Sequence, residues 1–295
     1  MARARVVTDS TAGLSPEECA ELGITVLPLY VLIGQESLKE GVDIATDELF
    51  RRMRTTSMIP KTAAPDVGDF ERVYRELCRG SDEVISLHIS ARLSQTVQNA
   101  REAADLMLGR CNIAVMDSQS ASAGLAILVR EAARLAAAGM RLDDLVPTLR
   151  GLIPRVYMVF FVENLDYLEA GGRVGRAQAL LGNMLNIKPL LILEDGEISP
   201  LEKVRTREKA VEKLAEFVSE FSQIEQLIIL QEETTEDTVA LRELVHESFP
   251  KLDMPVVPYG PVLGSHVGPG AMGVVVFEGG ASSPRLGGKR DPNRH

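Results

Sequence analysis

Glu83-Val84-Ile85-Ser86-Leu87-His88-Ile89, followed by Ser90-Ala91-Arg92-Leu93-Ser94, is the stretch whose reading decides the fold. The first seven residues read as a buried strand. After the polar turn, Leu93, Val97, Ala100, Ala104 and Leu108 recur at the spacing of one helix face. Residues 112–116 then read as another strand, ended by Asp117-Ser118-Gln119-Ser120.

Upstream, residues 5–8 form a short strand that runs into Asp9-Ser10-Thr11. Ser15-Pro16-Glu17-Glu18 opens a helix, with Ser15 as the cap and Glu18 completing a capping box. Residues 24–33, the turn Gly34-Gln35 and residues 36–39 predict a hairpin excursion. Helices are predicted over residues 46–54 and 67–79; between them, residues 59–65 cannot be helical throughout, because Pro60 and Pro65 push their predecessors to extended torsions. Alanine-rich helices follow over residues 122–138 and 142–152. Alternating strands and helices predict a mainly parallel sheet with helices on its faces.

A second half begins with a strand over residues 156–162 and a brief helix over 164–170, stopped by Gly171-Gly172. A helical run is predicted over residues 177–185. Residues 187–193 and Glu197-Ile198 flank Asp195-Gly196, a tight-hairpin signal. Val211, Leu214, Ala215, Val218 and Phe221 form a helical stripe, residues 226–230 a strand, and residues 234–248 a further helix. Residues 256–257 and 272–277 supply the last strands. The expected architecture is therefore two α/β domains, residues 1–155 and 156–281, with a disordered Gly-, Pro- and Arg-rich tail over 282–295.

The 295 residues carry a formal charge of -10, which disfavours general affinity for nucleic acid or anionic membrane. No apolar run is long enough to span a bilayer, and no secretory leader is evident. Cys19, Cys78 and Cys111 are widely spaced with no CxxC pair, so neither a disulfide framework nor a zinc site is indicated and a reducing cytoplasm fits. GxGxxG, a P-loop and HExxH are all missing, so no cofactor and no metal is expected.

Open parallel sheets hold ligands beyond the strands' carboxyl ends. Here those ends carry Thr8-Asp9-Ser10, Ser90 and Asp117-Ser118, which either line a polar cleft or simply cap the following helices. Gly260-Pro261-Val262-Leu263-Gly264-Ser265-His266-Val267-Gly268-Pro269-Gly270 reads as a shaped loop presenting Ser265 and His266. His88, within a strand, and His246, on a solvated helix, need only structural accounts. Ser94 is predicted in the first turn of a helix, where free N–H groups and the helix dipole favour an anion. Thr62, His266 and Arg173 could complete a carboxylate site. A serine hydrolase using Ser90 or Ser94 with His266 and Asp117 is the rival enzyme reading, although neither serine lies in a GxSxG elbow. A regulatory module with an empty cleft is a third.

Several ordered segments resemble the DegV family, the fatty-acid-binding subunits of bacterial fatty acid kinase systems. They are Asp9-Ser10-Thr11, Thr62 with Pro65, Ile89-Ser90 with Leu93-Ser94 and Thr96, and Asp117-Ser118. Most specific is Leu165-Asp166-Tyr167-Leu168-Glu169-Ala170-Gly171-Gly172-Arg173-Val174-Gly175, continuing through Leu180-Leu181-Gly182 to Asn186-Ile187-Lys188-Pro189. Lys203-Val204-Arg205 and Gly264-Ser265-His266-Val267-Gly268-Pro269-Gly270 complete the set. The resemblance implies one long-chain fatty acid held between the two domains, its carboxylate presented to a separate ATP-dependent kinase. The acyl phosphate would then pass to membrane acyltransferases for phospholipid synthesis. By position, Thr62, Ser94, Gln95 and His266 would meet the carboxylate, Arg173 would lie near the head group, and Arg205 would contact a partner. Ala63-Ala64, Ala91 and Gln95 depart from the family's usual residues, Gln95 standing in place of a glycine. The apolar residues around 180–185 and 190–193 are expected to line the acyl tunnel.

Overall fold

The structure is a computed structural model describing residues 3–56, 58–180 and 187–280. Strands β1 (Arg5–Asp9), β2 (Ile24–Leu27), β6 (Glu83–His88) and β7 (Asn112–Asp117) form a sheet of order β2-β1-β6-β7, every pairing parallel. Every residue of β6 is buried, as a central strand covered on both faces requires. Helices α3 (Val67–Leu77) and α4 (Thr96–Asp105) cover one face, packing Phe70 and Tyr74 against Val7 and Val84. The other face is covered by α1 (Pro16–Leu22), α5 (Ser122–Ala137) and α6 (Leu142–Leu152). The Ser15 side chain caps α1 as expected, accepting from the Glu18 N–H.

Inserted between β2 and β6 is a small antiparallel sheet of order β4-β3-β5, formed by β3 (Tyr30–Ile33), β4 (Glu36–Lys39) and β5 (Lys61–Ala63), with α2 (Thr46–Thr56) beside it. The chain then enters a six-stranded sheet of order β10-β9-β8-β13-β11-β12. Its strands are β8 (Val156–Phe161), β9 (Lys188–Glu194), β10 (Glu197–Val204), β11 (Ile224–Gln231), β12 (Val256–Val257) and β13 (Met272–Glu278). All its pairings are antiparallel except that of β11 with β12. Helices α8 (Arg207–Ser219) and α9 (Glu236–Ser248) cover one face. The opposite face, with Met158, Phe160 and Leu230, shares a core with Leu29, Val31 and Phe50 of the first half. The expected α/β architecture with a parallel first sheet is thus present, alongside a second, sheet-rich unit.

Asp195 and Gly196 join β9 to β10 with φ of 50° and 78°, the left-handed pair that a tight hairpin turn demands. Five expectations need correction. The segment from Gly260 is not a loop: α10 (Pro261–Val267) is a helix, with Pro261 at its first position. Ser94 lies two residues before α4, not in its first turn, and Leu108 falls beyond the helix end, where it is 76% exposed. Gly175–Leu180 is a 3-10 helix, while residues 181–185 of the predicted helical run, like the tail beyond 280, lie outside the described residues. Cys78 and Cys111 are disulfide-bonded, with Cα atoms 5.7 Å apart. Spacing hid this pair because the fold itself sets the end of α3 beside the start of β7.

His88 is structural in a way spacing did not reveal. Its Nδ1 is 3.0 Å from Asp9 Oδ2 and its Nε2 is 2.7 Å from Ser86 Oγ, which also accepts from the Tyr74 hydroxyl at 2.7 Å. Asp9 accepts in addition from the Ile89 and Thr11 N–H groups. All four side chains are fully buried, so each polar group needs its partner.

The disulfide closes a sequence separation of 33 residues. Loop-closure entropy then gives it about 3–4 kcal/mol of stability. Urea denaturation with and without dithiothreitol is expected to differ by that amount, with Cys78→Ser matching the reduced parent.

Candidate functional site

A cavity of about 380 Å³ lies where the carboxyl edge of the parallel sheet meets the inner face of the second sheet. Ile89, beyond β6, and Ala121, beyond β7, contribute from the first sheet, and Met158, Phe160, Leu193 and Leu230 from the second. This volume falls within the usual range for small-molecule sites, roughly 300–1,000 Å³. The wall is mostly apolar. Its polar side chains are Thr62, Ser94, Gln95, Asn99, Arg173 and His266, together with the Tyr259 hydroxyl.

Each polar group is positioned by local structure. Thr62 sits on β5, paired with Val31. The Asn99 amide, on α4, donates to the Pro65 carbonyl at 2.7 Å and so ties the segment after β5 to the helix beside Ser94. Ser94 Oγ lies 2.7 Å from Thr96 Oγ1, and it accepts from the Thr96 N–H at the start of α4. Gln95 is exposed at this edge and makes no side-chain cap.

Arg173 follows α7 (Asp166–Ala170), whose end is closed by bonds from the Gly172 N–H to Glu169 O and the Arg173 N–H to Leu168 O. Gly172 adopts the left-handed φ of 68° that this closure needs. The Arg173 guanidinium then reaches across to donate to the Leu93 carbonyl at 3.0 Å and to the Gly171 carbonyl at 2.6 Å. Both partners are neutral, and burial lowers its pKa. A half-buried cation without a carboxylate partner among the described residues is available to an anion.

His266, on α10, places Nε2 2.8 Å from Thr62 Oγ1. Its Nδ1 is buried with no partner among the described residues. An ideal Cβ on Gly171 would lie 2.2 Å from that nitrogen, so only glycine leaves room for the ring. Burial first, and Arg173 second, push the His266 pKa down to about 4, leaving the imidazole neutral near pH 7. The hydroxyls of Thr62 and Ser94 can donate, neutral His266 orients Thr62, and Arg173 supplies positive charge: a set suited to a carboxylate end group.

Thr62, Ser94, Gln95, Arg173 and His266 all line this cavity. Arg205 does not; it is exposed just past β10. The hydrolase arrangement is also not formed. His266 bonds Thr62 and not Ser94, Ser90 Oγ donates to the Gly196 carbonyl, and no acid orients Nδ1. No cluster of three or more metal-ligating side chains occurs among the described residues. Sequence reading missed Asn99, which had no local signal because it acts on a segment distant in the chain.

Parallel sheet, second sheet and a mostly apolar cavity with a polar, cationic edge define a two-unit α/β protein with a candidate small-molecule site. The chain belongs to the DegV family, matching the model described as an uncharacterised protein of that family over residues 3–279. A DegV domain-containing protein of Deinococcus radiodurans is 38% identical over 92% of this chain and 97% of its own. A fatty-acid-binding DegV family protein from Thermus thermophilus superposes with a TM-score of 0.86 at 34% identity, covering 94% of this chain and 99% of that one. A stearic-acid-binding protein from Eubacterium ventriosum gives 0.84 at 27% identity, covering 93% and 98%.

Between about pH 4 and the ordinary histidine value of 6.5, the unfolded state holds a proton on residue 266 that the native state lacks. Stability contributed here therefore rises with pH through that window and is lost as acid is added. His266→Gln is expected to flatten this part of the stability–pH profile, measured by urea denaturation from pH 4 to 7. Gly171→Ala should displace the imidazole and break its bond to Thr62, visible as a changed His266 ring signal by NMR.

Proposed function

We propose that this protein binds a long-chain fatty acid in the cavity between its two α/β domains, residues 1–155 and 156–281, and is itself not an enzyme. The observation that carries the reading is a mostly apolar cavity of about 380 Å³ edged by hydroxyls and by the Arg173 guanidinium, which has no carboxylate partner among the described residues. Related proteins described as binding fatty acids support it. Each buried methylene contributes about 0.8 kcal/mol, so a long acyl chain gains ~10 kcal/mol before ordering costs. The chain supplies affinity, and the head-group contacts set direction.

In this reading Thr62, Ser94 and the backbone of Gln95 meet the carboxylate, His266 orients Thr62, and Arg173 offsets the charge. A separate ATP-dependent kinase phosphorylates the presented carboxylate. The acyl phosphate passes transiently to a membrane acyltransferase for phospholipid synthesis. Arg205, exposed beside the edge strand β10, is a candidate for contact with one of these partners.

Native mass spectrometry of freshly purified protein, followed by denaturing extraction, is expected to yield one fatty acid per chain. Failure both to retain a fatty acid and to take one up on addition would overturn the reading. Ser94→Ala and Thr62→Val should each weaken fatty-acid binding by about 1.5–3 kcal/mol with the fold retained by circular dichroism, the unfolding midpoint falling because Thr96 Oγ1 or His266 Nε2 loses its partner. His266→Ala is expected to retain most binding and slow phosphorylation by the kinase, measured as acyl phosphate formed per minute.

A further inference from the structure

Glu40 follows β4 and is only 4% exposed, yet it belongs to neither the apolar core nor the cavity wall. Its Oε2 accepts from the Ser10 hydroxyl at 2.5 Å, and its Oε1 accepts from the Val262 N–H at 2.8 Å. Ser10 lies just past β1, and Val262 is the second residue of α10, 222 positions away along the chain. The helix's own cap position is Gly260, which has no side chain to satisfy this N–H. An ideal Cβ there would stand 2.5 Å from Glu40 Oε1, so the glycine vacates the space that the carboxyl fills. Glu40 is thus the cap of α10, delivered from the other half of the molecule. One turn further along the same helix, His266 meets Thr62.

We infer that Glu40 is a proton-operated latch: protonated, it holds α10 and its His266 at the cavity; ionised, it loosens the helix and lets the polar edge open. The charges around it favour this. Asp9, at the end of β1, is the charged group acting on it, and it has the same sign. Lys39 and Asp43 on its own segment are exposed, as is Asp47 of α2, while Glu48 of α2 is engaged by Arg51 and Arg52. On α10 itself the titratable group is the neutral His266. Burial outweighs the two hydrogen bonds and raises the Glu40 pKa to about 7. A helix lifted away would return Glu40 to water and to an ordinary carboxylate value. The docked form therefore binds the proton more tightly, and docking weakens as pH rises from about 4.5 through about 7. The full effect on the opening equilibrium is about two orders of magnitude.

The latch stands on protein geometry alone; its role in gating fatty-acid exchange rests on the function proposed above. Two readouts on the full chain keep these apart. Amide hydrogen exchange of residues 262–267, corrected for intrinsic pH effects and measured without lipid, is expected to lose about a hundredfold protection between pH 5 and 8. Glu40→Gln, which keeps an acceptor for Val262 and cannot ionise, should hold high protection throughout. Ser10→Ala, which removes one bond favouring the carboxylate, should move the midpoint to higher pH. A pH profile of the parent identical to that of Glu40→Gln, or an unmoved midpoint in Ser10→Ala, would overturn the latch. The second readout is release of a fluorescent long-chain fatty acid, expected to accelerate with pH in the parent and not in Glu40→Gln. Exchange that follows pH while the probe never binds leaves the latch standing and removes the lipid role. A probe that binds while exchange stays flat in the parent does the reverse.

Discussion

Polar groups carried into the seam between the two sheets are out of reach of bulk water, and that constraint organises the rest of the molecule. A buried donor or acceptor left without a partner costs about 1–3 kcal/mol. The seam meets this by pairing groups from opposite halves. Ser90 donates to the Gly196 carbonyl, Arg173 to the Leu93 carbonyl and Thr46 to the Tyr259 carbonyl, while Thr62 meets His266 and Glu40 meets Val262. These bonds surround a shared apolar core. They fix the spacing of the two sheets, and the cavity is the space that fixed spacing leaves.

Two exceptions lie at the cavity itself. His266 Nδ1 finds no partner among the described residues, and Arg173 donates only to neutral carbonyls. Thr8 Oγ1 and Ser199 Oγ are also buried without a partner among the described residues, so what sets the cavity edge apart is the half-buried positive charge of Arg173 beside His266. By contrast, the Asp9, His88, Ser86 and Tyr74 chain resembles an acid, imidazole and hydroxyl relay yet is sealed from the cavity. Its effect is mechanical. Asp9 accepts from the Ile89 N–H and so pins the turn that leads to Ser90 and Ser94.

Small residues in the sequence motifs acquire their meaning only against particular neighbours. Gly171 gives way to the His266 ring, and Gly268, at φ 72°, would collide with the Tyr167 ring if it carried a Cβ. The most specific family segment, residues 165–175, is thus the surface on which α10 is seated. That explains why two motifs nearly a hundred residues apart read as one signature: they form one contact.

The sequence by itself determined most of the secondary elements and the parallel character of the first sheet, and it singled out several of the side chains that line the cavity. These follow from local rules: periodicity, capping by Ser15, the Asp195-Gly196 turn, and the matched segments that carry Thr62, Ser94, Arg173 and His266. Tertiary structure alone decided which of them touch. It made a helix of residues 261–267, because a carboxyl from residue 40 supplies the cap that Gly260 lacks. It joined Cys78 to Cys111, chose Thr62 over Ser94 as the partner of His266, and left Arg205 in solvent. The physical reason is common to all four. Pairings across long sequence separations depend on where two sheets come to rest against one another, and no local pattern encodes that distance.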